Sequence, residues 1–329
     1  MNILYTTNSK FVGKVAASIC SVFENNRDMD TIKIYIIGQE LTEEECLKFN
    51  TLGEQYNREI VIIALDNISQ YFKFTFDTNG WNPIVLARLL LDYFLPEDLE
   101  KVLYLDGDTI NIAPLKELWE TDLRKYILGA CIEATVDSRQ LEILNMEGRP
   151  YVNAGVLLIN LKAWREKKAG EKIIRYYEKH NGMLFANDQD AINGALQGEI
   201  LFLPPKYNFY NIYWYYPYKF LKKLMGKAYY YNEAVYKESQ KNPAIIHYLG
   251  EERPWRAGNK HKFKEDYKKY LSKTPWKDEA DEGGWEVYFL CWNLFNRIMT
   301  PFPGIRYSVI NGLIPLFMKY RKLKLKREK

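Results

Sequence analysis

The segment Lys101-Val102-Leu103-Tyr104-Leu105-Asp106-Gly107-Asp108 joins an apolar run to two carboxylates that stand one residue apart. The apolar run is typical of a strand that is buried on both faces. Carboxylates just past such a strand are held in fixed positions, and their oxygens are ligands for hard divalent cations. Gly107 keeps the turn between them uncrowded. The segment predicts a strand that ends at a metal site, although an Asp-x-Asp turn by itself is more often only solvated.

Strand-like and helix-like segments alternate around this segment. Short runs rich in β-branched residues and Tyr predict strands at 3–6, 32–37, 60–65, 102–105 and 156–160. Apolar residues at helical spacing predict helices at 12–23, 84–94 and about 163–180. This order predicts an α/β sandwich with a mostly parallel sheet. Ligands of such sheets bind beyond the carboxyl ends of the strands, so Thr6-Thr7-Asn8 and Asp106-Gly107-Asp108 are expected to face one crevice.

Length and composition restrict the class of protein. The 329 residues are 47% hydrophobic, enough for one large domain or two smaller ones. The net charge of +4 and the lack of a basic patch with base-reading residues argue against nucleic acid as a partner. Four scattered cysteines predict free thiols in a reducing compartment. We find no signal peptide and no apolar run of the ~18 residues that a spanning helix needs, so we expect a cytoplasmic protein.

Residues 277–329 differ from residues 1–276, and we predict that they form a separate C-terminal extension. After a linker at 278–284, apolar residues recur at helical spacing: Trp285, Tyr288, Phe289, Trp292, Phe295 and Met299. Pro301 and Pro303 end that helix. A basic cluster closes the chain: Lys319, Arg321, Lys322, Lys324, Lys326, Arg327 and Lys329. This pattern favours peripheral binding to an anionic membrane surface. The alternative is a helix that packs on the domain and ends in a solvated basic tail.

Four further segments place polar residues in an apolar context. They are Arg88, Asn153-Ala154-Gly155, Asn187-Asp188-Gln189-Asp190, and 247–253. Each alone has a simple explanation as a turn, a helix cap, a core histidine or a structural ion pair. With Asp106 and Asp108, His247 supplies two oxygen ligands and one imidazole, a set suited to Mn²⁺. Arg253 can bind phosphate as a planar fork, and Gly250 allows close backbone approach. Together these segments predict a nucleotide-sugar site.

The chain resembles glycosyltransferase family 8, the retaining galactosyl- and glucosyltransferases that include bacterial lipooligosaccharide α-galactosyltransferases and glycogenin. Six stretches carry the resemblance, in the family's order, across about residues 1–276: YTTNSKF (5–11), LARL (86–89), VLYLDGD (102–108), YVNAGVLLINL (151–161), NDQDAIN (187–193) and HYLGEERPW (247–255). The resemblance implies a GT-A fold, which is a Rossmann-like α/β sandwich, together with a UDP-sugar donor and a bound Mn²⁺ or Mg²⁺ ion.

The resemblance also implies roles for single residues. Asp106, Asp108 and His247 match the metal ligands, with Gly107 between the two carboxylates. The donor-site matches are Thr6, Asn8 and Phe11 for uracil and ribose, Arg88, Asn153, Ala154, Asp188 and Gln189 for the sugar, and Gly250 and Arg253 for the diphosphate. Two positions depart from the family: Asn8 stands where an acidic residue is frequent, and Arg253 where Lys is common.

The catalytic residues implied by this match are Asp188 and Gln189. A double displacement needs a carboxylate nucleophile beneath the sugar, and the amide of Gln189 is a poor one. We therefore favour same-face attack by the acceptor hydroxyl, with Asp188 orienting the sugar, and double displacement stays open. An aromatic run predicts stacking on an acceptor sugar, with packing around a loop as an equal alternative: Tyr210, Tyr213, Trp214 and Tyr216.

The predicted function is retaining transfer of galactose or glucose from a UDP-sugar to a glycan, glycolipid or glycoprotein in bacterial surface glycan synthesis, at the inner face of the membrane. Two alternatives are a nucleotidyltransferase on a similar sandwich and a non-catalytic carbohydrate- or membrane-binding module. The first gives no reason for His247-x-x-Gly250-x-x-Arg253. The second requires an incomplete metal site, whereas the sequence keeps all three ligands.

Overall fold

A computed structural model describes the backbone of residues 1–327 and the side chains of residues 1–319. The strands are β1 (Asn2–Asn8), β2 (Lys33–Gln39), β3 (Glu59–Leu65), β4 (Lys101–Leu105), β5 (Thr109–Asn111), β6 (Leu128–Ala130), β7 (Val156–Asn160), β8 (Ile200–Phe202) and β9 (Ile245–His247). The helices are α1 (Val12–Asn25), α2 (Glu43–Gln55), α3 (Leu91–Phe94), α4 (Lys116–Trp119), α5 (Ser138–Ile143), α6 (Leu161–Glu166), α7 (Ala169–Lys179), α8 (Asn187–Ala195), α9 (Ile212–Tyr215), α10 (Tyr218–Met225), α11 (Glu233–Lys241), α12 (Lys264–Leu271), α13 (Glu286–Met299) and α14 (Pro303–Arg327).

Seven strands form one mixed sheet in the order β3-β2-β1-β4-β7-β6-β8. The first four are parallel, β7 runs antiparallel to both of its neighbours, and β6 and β8 are parallel. The predicted α/β sandwich with a mostly parallel sheet is confirmed. The chain adds β2 and β3 on one side of β1 and then returns to place β4 on the other side. This reversal opens a crevice beyond the carboxyl ends of β1 and β4, where open α/β sheets bind ligands.

The sheet forms because its central strands are apolar on both faces. In β1 the residues from Ile3 to Thr7 are buried, and in β4 only Lys101 is partly exposed. One face is covered by α1 and the tyrosine-rich segment after β8, and the other by α6, α7 and α8. Capping contacts set the start of some helices, as in α2, where Thr42 and Glu45 form a capping box. The rigid sheet thereby fixes the backbone from which the polar loops extend.

Two helix predictions differ from the structure. Residues 84–94 form a 3₁₀ segment, Pro83–Leu89, which Asn82 caps at Ile84, followed by the short α3. Residues 163–180 form α6 and α7, because Lys168 adopts a left-handed conformation with φ of 51° and ends α6. Apolar spacing does not reveal a break at one residue.

The C-terminal helices begin by packing on the rest of the chain. Arg306 of α14 is buried, donates hydrogen bonds to Tyr216 Oη (2.8 Å) and Asn296 Oδ1 (3.0 Å), and lies 4.0 Å from the Tyr215 ring centroid. The predicted linker also makes ion pairs, such as the pair between Glu279 and Lys14. The division at residue 276 stays a prediction. The predicted basic cluster lies outside the residues with described side chains, apart from Lys319.

We expect Arg306→Met to loosen the packing of α14. The change leaves Tyr216 Oη and Asn296 Oδ1 without their donor and removes a cation–π contact, which should cost about 1–3 kcal/mol of unfolding free energy. Hydrogen exchange across residues 303–319 should accelerate. The control is Arg297→Met on the exposed side of α13, which should change stability by no more than about 0.5 kcal/mol. Equal effects of both changes would contradict the buried role of Arg306.

Candidate active site

Three side chains of types that can bind a metal ion converge where β4 ends. Asp106 and Asp108 follow β4, and the short pairing of β5 with β9 brings His247 opposite Thr109. His247 Nε2 lies 3.3 Å from Asp108 Oδ1 and 3.8 Å from Asp106 Oδ2. One ligand atom from each residue falls within 4.8 Å of the others. Two carboxylate oxygens and one imidazole nitrogen at this spacing fit a divalent ion such as Mn²⁺ or Mg²⁺.

Gly155 leaves room for this cluster, and Gly107 allows the turn to pack closely against α1. A Cβ on Gly155 would clash with the His247 ring and lie 3.0 Å from Asp106 Oδ2. A Cβ on Gly107 would lie 2.6 Å from a methyl carbon of Val15. Any larger residue at Gly155 would push the imidazole out of place. The sequence alone does not distinguish Gly155 from the other residues of the stretch at 151–161 as part of the site.

Arg88 connects two carboxylates of the site. Its guanidinium lies 3.0 Å from Asp106 Oδ1 and 2.9 Å from Asp188 Oδ2, and donates to the Ala154 carbonyl at 2.7 Å. It also lies over the ring of Tyr104, 4.4 Å from the centroid. Burial opposes the charge of Arg88, but the two carboxylates outweigh burial and raise its pKa. Because protein groups contact the guanidinium on several sides, Arg88 fixes the positions of Asp106 and Asp188. It also keeps a positive charge within the crevice.

Asp188 is buried beside Arg88 with one oxygen lacking an aligned donor. Among the described residues nothing donates a well-directed hydrogen bond to its Oδ2, because the Arg88 Nε–H is directed at the Val85 carbonyl. Burial raises the pKa of Asp188 to about 6, the charge of Asp106 adds to this, and Arg88 opposes it. A buried acceptor that lacks a donor is what a hydroxyl-bearing ligand would satisfy.

The amide of Gln189 is fixed at both ends. Its Oε1 accepts the Ala154 N–H at 2.9 Å, and its Nε2 donates to Tyr151 Oη at 3.1 Å. Asn153 is equally occupied, since its Oδ1 accepts from Gly155 N–H at 2.9 Å and from Asn208 Nδ2 at 2.8 Å. The structure therefore brings the predicted sugar-binding residues together but uses much of their hydrogen-bonding capacity within the protein.

The predicted nucleotide and diphosphate residues lie on the other side of the metal cluster. Arg253 lies 3.4 Å from Asp108 Oδ2, and its guanidinium is 5.6 Å from the Phe11 ring centroid and 5.5 Å from that of Trp255. Gly250 has φ of 72°, a conformation that favours glycine. Burial works against ionisation of Asp108, but the positive charge that His247 carries when both ring nitrogens are protonated, together with Arg253, outweighs burial and lowers its pKa.

The expected common crevice of β1 and β4 is present. Thr6 Oγ1 lies 3.1 Å from Tyr104 Oη, which donates to Asp106 Oδ1 at 2.6 Å. Asn8 ends β1, and its side chain does not cap the turn that follows. Tyr104 was missed as a site residue, because within the sequence it is simply a member of an apolar strand.

The structure does not fit the predicted stacking of tyrosines on an acceptor. Tyr210, Tyr213 and Tyr216 are at most 4% exposed, so their rings present no free face to a sugar. The hydroxyl of Tyr210 donates to Glu133 at 2.7 Å. Trp214 is half-buried against Phe209. We correct the interpretation of the three tyrosines to packing, since each ring fills the core beneath the site.

A candidate metal site beside a switch point of a Rossmann-like sheet, with an arginine and a buried aspartate on either side, is the arrangement expected of a GT-A glycosyltransferase. Residues 2–258 match the family model described as glycosyl transferase family 8. The chain belongs to this family, so the predicted family, fold and enzyme class are confirmed.

Individual relatives agree with this assignment. A Haemophilus influenzae protein named as a candidate glycosyltransferase is 30% identical over 213 residues, which are 64% of this chain and 63% of the relative. The lipopolysaccharide 1,2-glucosyltransferase of Escherichia coli K12 is 26% identical over 285 residues, 85% of this chain and 80% of the relative. The solved galactosyltransferase LgtC, in complex with donor and acceptor sugar analogues, has the same fold, with a TM-score of 0.71 at 23% identity over 84% of this chain and 96% of LgtC.

Proposed function

We propose that this glycosyltransferase moves a hexose from a UDP-sugar to a saccharide acceptor with retention of configuration, and that Mn²⁺ or Mg²⁺ is its ion. The observation that carries the proposal is the convergence of Asp106, Asp108 and His247 with Arg253 beside them. A divalent ion held by these three residues would neutralise charge on the diphosphate as Lewis acid. Arg253 adds a planar guanidinium that can donate two parallel hydrogen bonds to phosphate oxygens.

The residues around the sugar favour same-face attack over double displacement. Gln189 presents an amide whose oxygen already accepts a backbone N–H, which further weakens it as a nucleophile. Asp188 is a carboxylate, but the charge of Arg88, whose Nε lies 2.9 Å from Asp188 Oδ2, makes it a weaker nucleophile. We propose that Asp188 accepts a hydrogen bond from a hydroxyl of the donor sugar. The departing phosphate oxygen then takes the proton from the attacking hydroxyl of the acceptor saccharide. Trapping of a glycosyl ester on Asp188 would overturn this step.

A donor assay tests the function. The protein is incubated with UDP-galactose, UDP-glucose and other UDP-sugars, with Mn²⁺, Mg²⁺ or a chelator; ³¹P NMR follows the nucleotide products, and ¹H NMR gives the anomeric configuration of the new linkage. We expect ion-dependent release of UDP from one hexose donor, faster when a saccharide acceptor is present, and an α-linked product from an α-linked donor. Release of UMP would favour nucleotidyl transfer. No turnover of any UDP-sugar with either ion would overturn the proposal.

We propose that the acceptor contacts exposed aromatic rings beside Asp188. Trp81 and Phe185 are 36% and 45% exposed, and Asn79 links their loops by donating to the Phe185 carbonyl at 3.2 Å. Asn187, the neighbour of Asp188, donates to the Thr78 carbonyl in the same loop at 3.0 Å. Aromatic faces stack on the apolar faces of pyranoses, so these two rings are suited to hold an acceptor.

Phe185→Ser should raise the KM for the acceptor about tenfold, the value of one lost aromatic contact of roughly 1.4 kcal/mol. Hydrolysis of the donor in the absence of acceptor should stay unchanged. The matched control is Tyr93→Ser, which removes a ring that is 70% exposed elsewhere. An unchanged KM for the acceptor in Phe185→Ser would show that the Phe185 ring does not contact the acceptor.

We propose that the C-terminal helices bind an anionic membrane surface peripherally. Val287, Leu290, Leu294 and Ile298 form an exposed apolar stripe on α13, each at least 54% exposed. Among the described residues no helix is both long and apolar enough to cross a bilayer. An exposed stripe of this kind fits binding in the plane of the surface. The name of the Escherichia coli relative supports a lipid-linked saccharide as acceptor.

We expect the double change Leu290→Asp with Leu294→Asp to weaken binding to vesicles that contain anionic phospholipid by more than about tenfold, because each buried leucine contributes roughly 1.5–3 kcal/mol. Vesicle co-sedimentation measures this, with neutral vesicles for comparison. Leu47→Asp is the control, since Leu47 is 64% exposed on α2 and outside the extension. Unchanged binding of the double variant would contradict membrane docking through α13.

A further inference from the structure

We infer that a backbone N–H sets the tautomer of the His247 imidazole through two asparagine side chains, Asn153 and Asn208, and that Asn208 is a positioning residue for His247. The inference rests on the proposed metal-binding role of His247. Its first step, however, concerns the protein without any ion and is measured separately.

We call the chain of hydrogen bonds from Gly155 through Asn153 and Asn208 to His247 the relay. It begins at a group that can act only as a hydrogen-bond donor. The N–H of Gly155 can only donate, and the Asn153 side-chain atom 2.9 Å away must therefore be the oxygen, Oδ1. The other end of the same amide faces Glu133 Oε2 at 3.4 Å, and a carboxylate accepts hydrogen bonds. Tyr210 holds Glu133 in place through a hydrogen bond of 2.7 Å. The contacts of Asn153 with Gly155 and with Glu133 therefore require the same orientation of its side-chain amide.

The orientation of the Asn153 amide then determines the orientation of the Asn208 amide. Asn153 Oδ1 lies 2.8 Å from the Asn208 amide, and an oxygen at that distance requires the donor, Nδ2. The remaining atom of the Asn208 amide is Oδ1, which lies 2.9 Å from His247 Nδ1. An amide oxygen accepts only, so Nδ1 of His247 carries the proton. Asn208 and His247 are at most 1% exposed, so bulk water does not compete for these bonds.

The consequence concerns the opposite edge of the imidazole. In the neutral ring, a proton on Nδ1 leaves a lone pair on Nε2, the atom that faces Asp106 and Asp108. The other tautomer would present an N–H to the ion and would leave Asn208 Oδ1 facing a lone pair. The relay thus favours the tautomer that binds an ion, and in metal-free protein it acts against Asp106 and Asp108, whose oxygens would accept an Nε2–H. A partner that fixes the far nitrogen of a metal-binding histidine typically contributes 10–100-fold in metal affinity.

The experiment uses the full chain labelled with ¹⁵N-histidine. The chain has three histidines, and a His247→Gln variant assigns the His247 signals. In metal-free protein, at a pH where the shifts show neutral rings, we expect a protonated, pyrrole-type Nδ1 and a pyridine-type Nε2. Asn208→Leu should populate the opposite tautomer and lower Mn²⁺ affinity about 10–100-fold, measured by electron paramagnetic resonance of free Mn²⁺. Asn208→Asp keeps an acceptor for Nδ1–H, so it should keep the tautomer.

The control is Asn26→Leu. Asn26 is also fully buried and hydrogen-bonded, to Asn111 and to the backbone of Leu115, away from the candidate site. It should leave the tautomer and Mn²⁺ affinity unchanged, which separates loss of the relay from general destabilisation. A protonated Nε2 in the neutral ring of wild-type protein, or an unchanged tautomer in Asn208→Leu, would overturn the inference. The expected tautomer in a protein that binds neither Mn²⁺ nor UDP-sugar would support the relay while rejecting the proposed function.

Discussion

Asp108→Asn should reduce turnover at saturating donor by about 10³-fold, because loss of one group that stabilises developing charge typically costs 10²–10³-fold and this change also weakens ion binding. An amide oxygen is a neutral and weaker ligand than a carboxylate, and Asp108 also faces Arg253 at 3.4 Å. Asp106→Asn should act similarly, and it removes one of the two carboxylates that hold Arg88. Ion-dependent UDP release measures turnover, and Mn²⁺ titration measures ion affinity.

The control for this prediction is Asp122→Asn. Asp122 is an exposed carboxylate that pairs with Arg124 far from the crevice, so its loss should leave turnover and ion affinity unchanged. If both Asp106→Asn and Asp108→Asn retain wild-type activity in the presence of a chelator, the metal assignment fails. Rescue of Asp108→Asn by excess Mn²⁺ would show that weaker ion binding dominates the loss.

Local sequence patterns were sufficient for the centre of the fold. The strand before Asp106 and the strand before Asn8 are both apolar and short, and parallel neighbours carry their ligands at one edge. That argument predicted a shared crevice, and the contact of Thr6 with Tyr104 and of Tyr104 with Asp106 lies within it. The prediction held because it depended on strand direction, which a βα pattern specifies, and not on any single contact.

Residues that act through long-range contacts were beyond the reach of local patterns. His247 meets Asp106 and Asp108 through a ladder of three residue pairs, which is too short to predict from alternation, so ligand chemistry and the family resemblance indicated His247 but strand patterns did not. Asn208 lies in a tyrosine-rich stretch, and nothing local distinguishes it from a turn residue. The buried tyrosines failed as acceptor residues because aromatic composition does not reveal which hydroxyls find partners inside the protein. Their hydrogen bonds to buried groups are what allow full burial.

Asp188→Asn should lower turnover while raising stability at neutral pH. The donor sugar loses a charged acceptor, which should cost about 10²-fold in kcat, as for other lost charge-stabilising groups. The pKa of Asp188 is about 6 in the folded chain and 3.8 in the unfolded reference. The folded state therefore binds more protons between these values, and the free energy of unfolding falls as pH rises through this window. At pH 7 the ionised carboxylate costs on the order of 3 kcal/mol, which a neutral amide removes.

The measurement is denaturant unfolding of metal-free protein at pH 5 and pH 7.5. The difference in unfolding free energy between Asp188→Asn and wild type should grow from the lower to the higher pH. The control lies one residue beyond Gln189: Asp190 is buried too, but it accepts hydrogen bonds from Tyr151, Gln140 and the Ala186 N–H. Burial raises the pKa of Asp190 too, but Asn keeps only one of the two oxygens that accept these three hydrogen bonds, so Asp190→Asn should destabilise the protein at both pH values. If Asp188→Asn destabilises the protein at both pH values, the prediction is wrong. The ion pair with Arg88 would then fully offset the free-energy cost of burying the ionised Asp188.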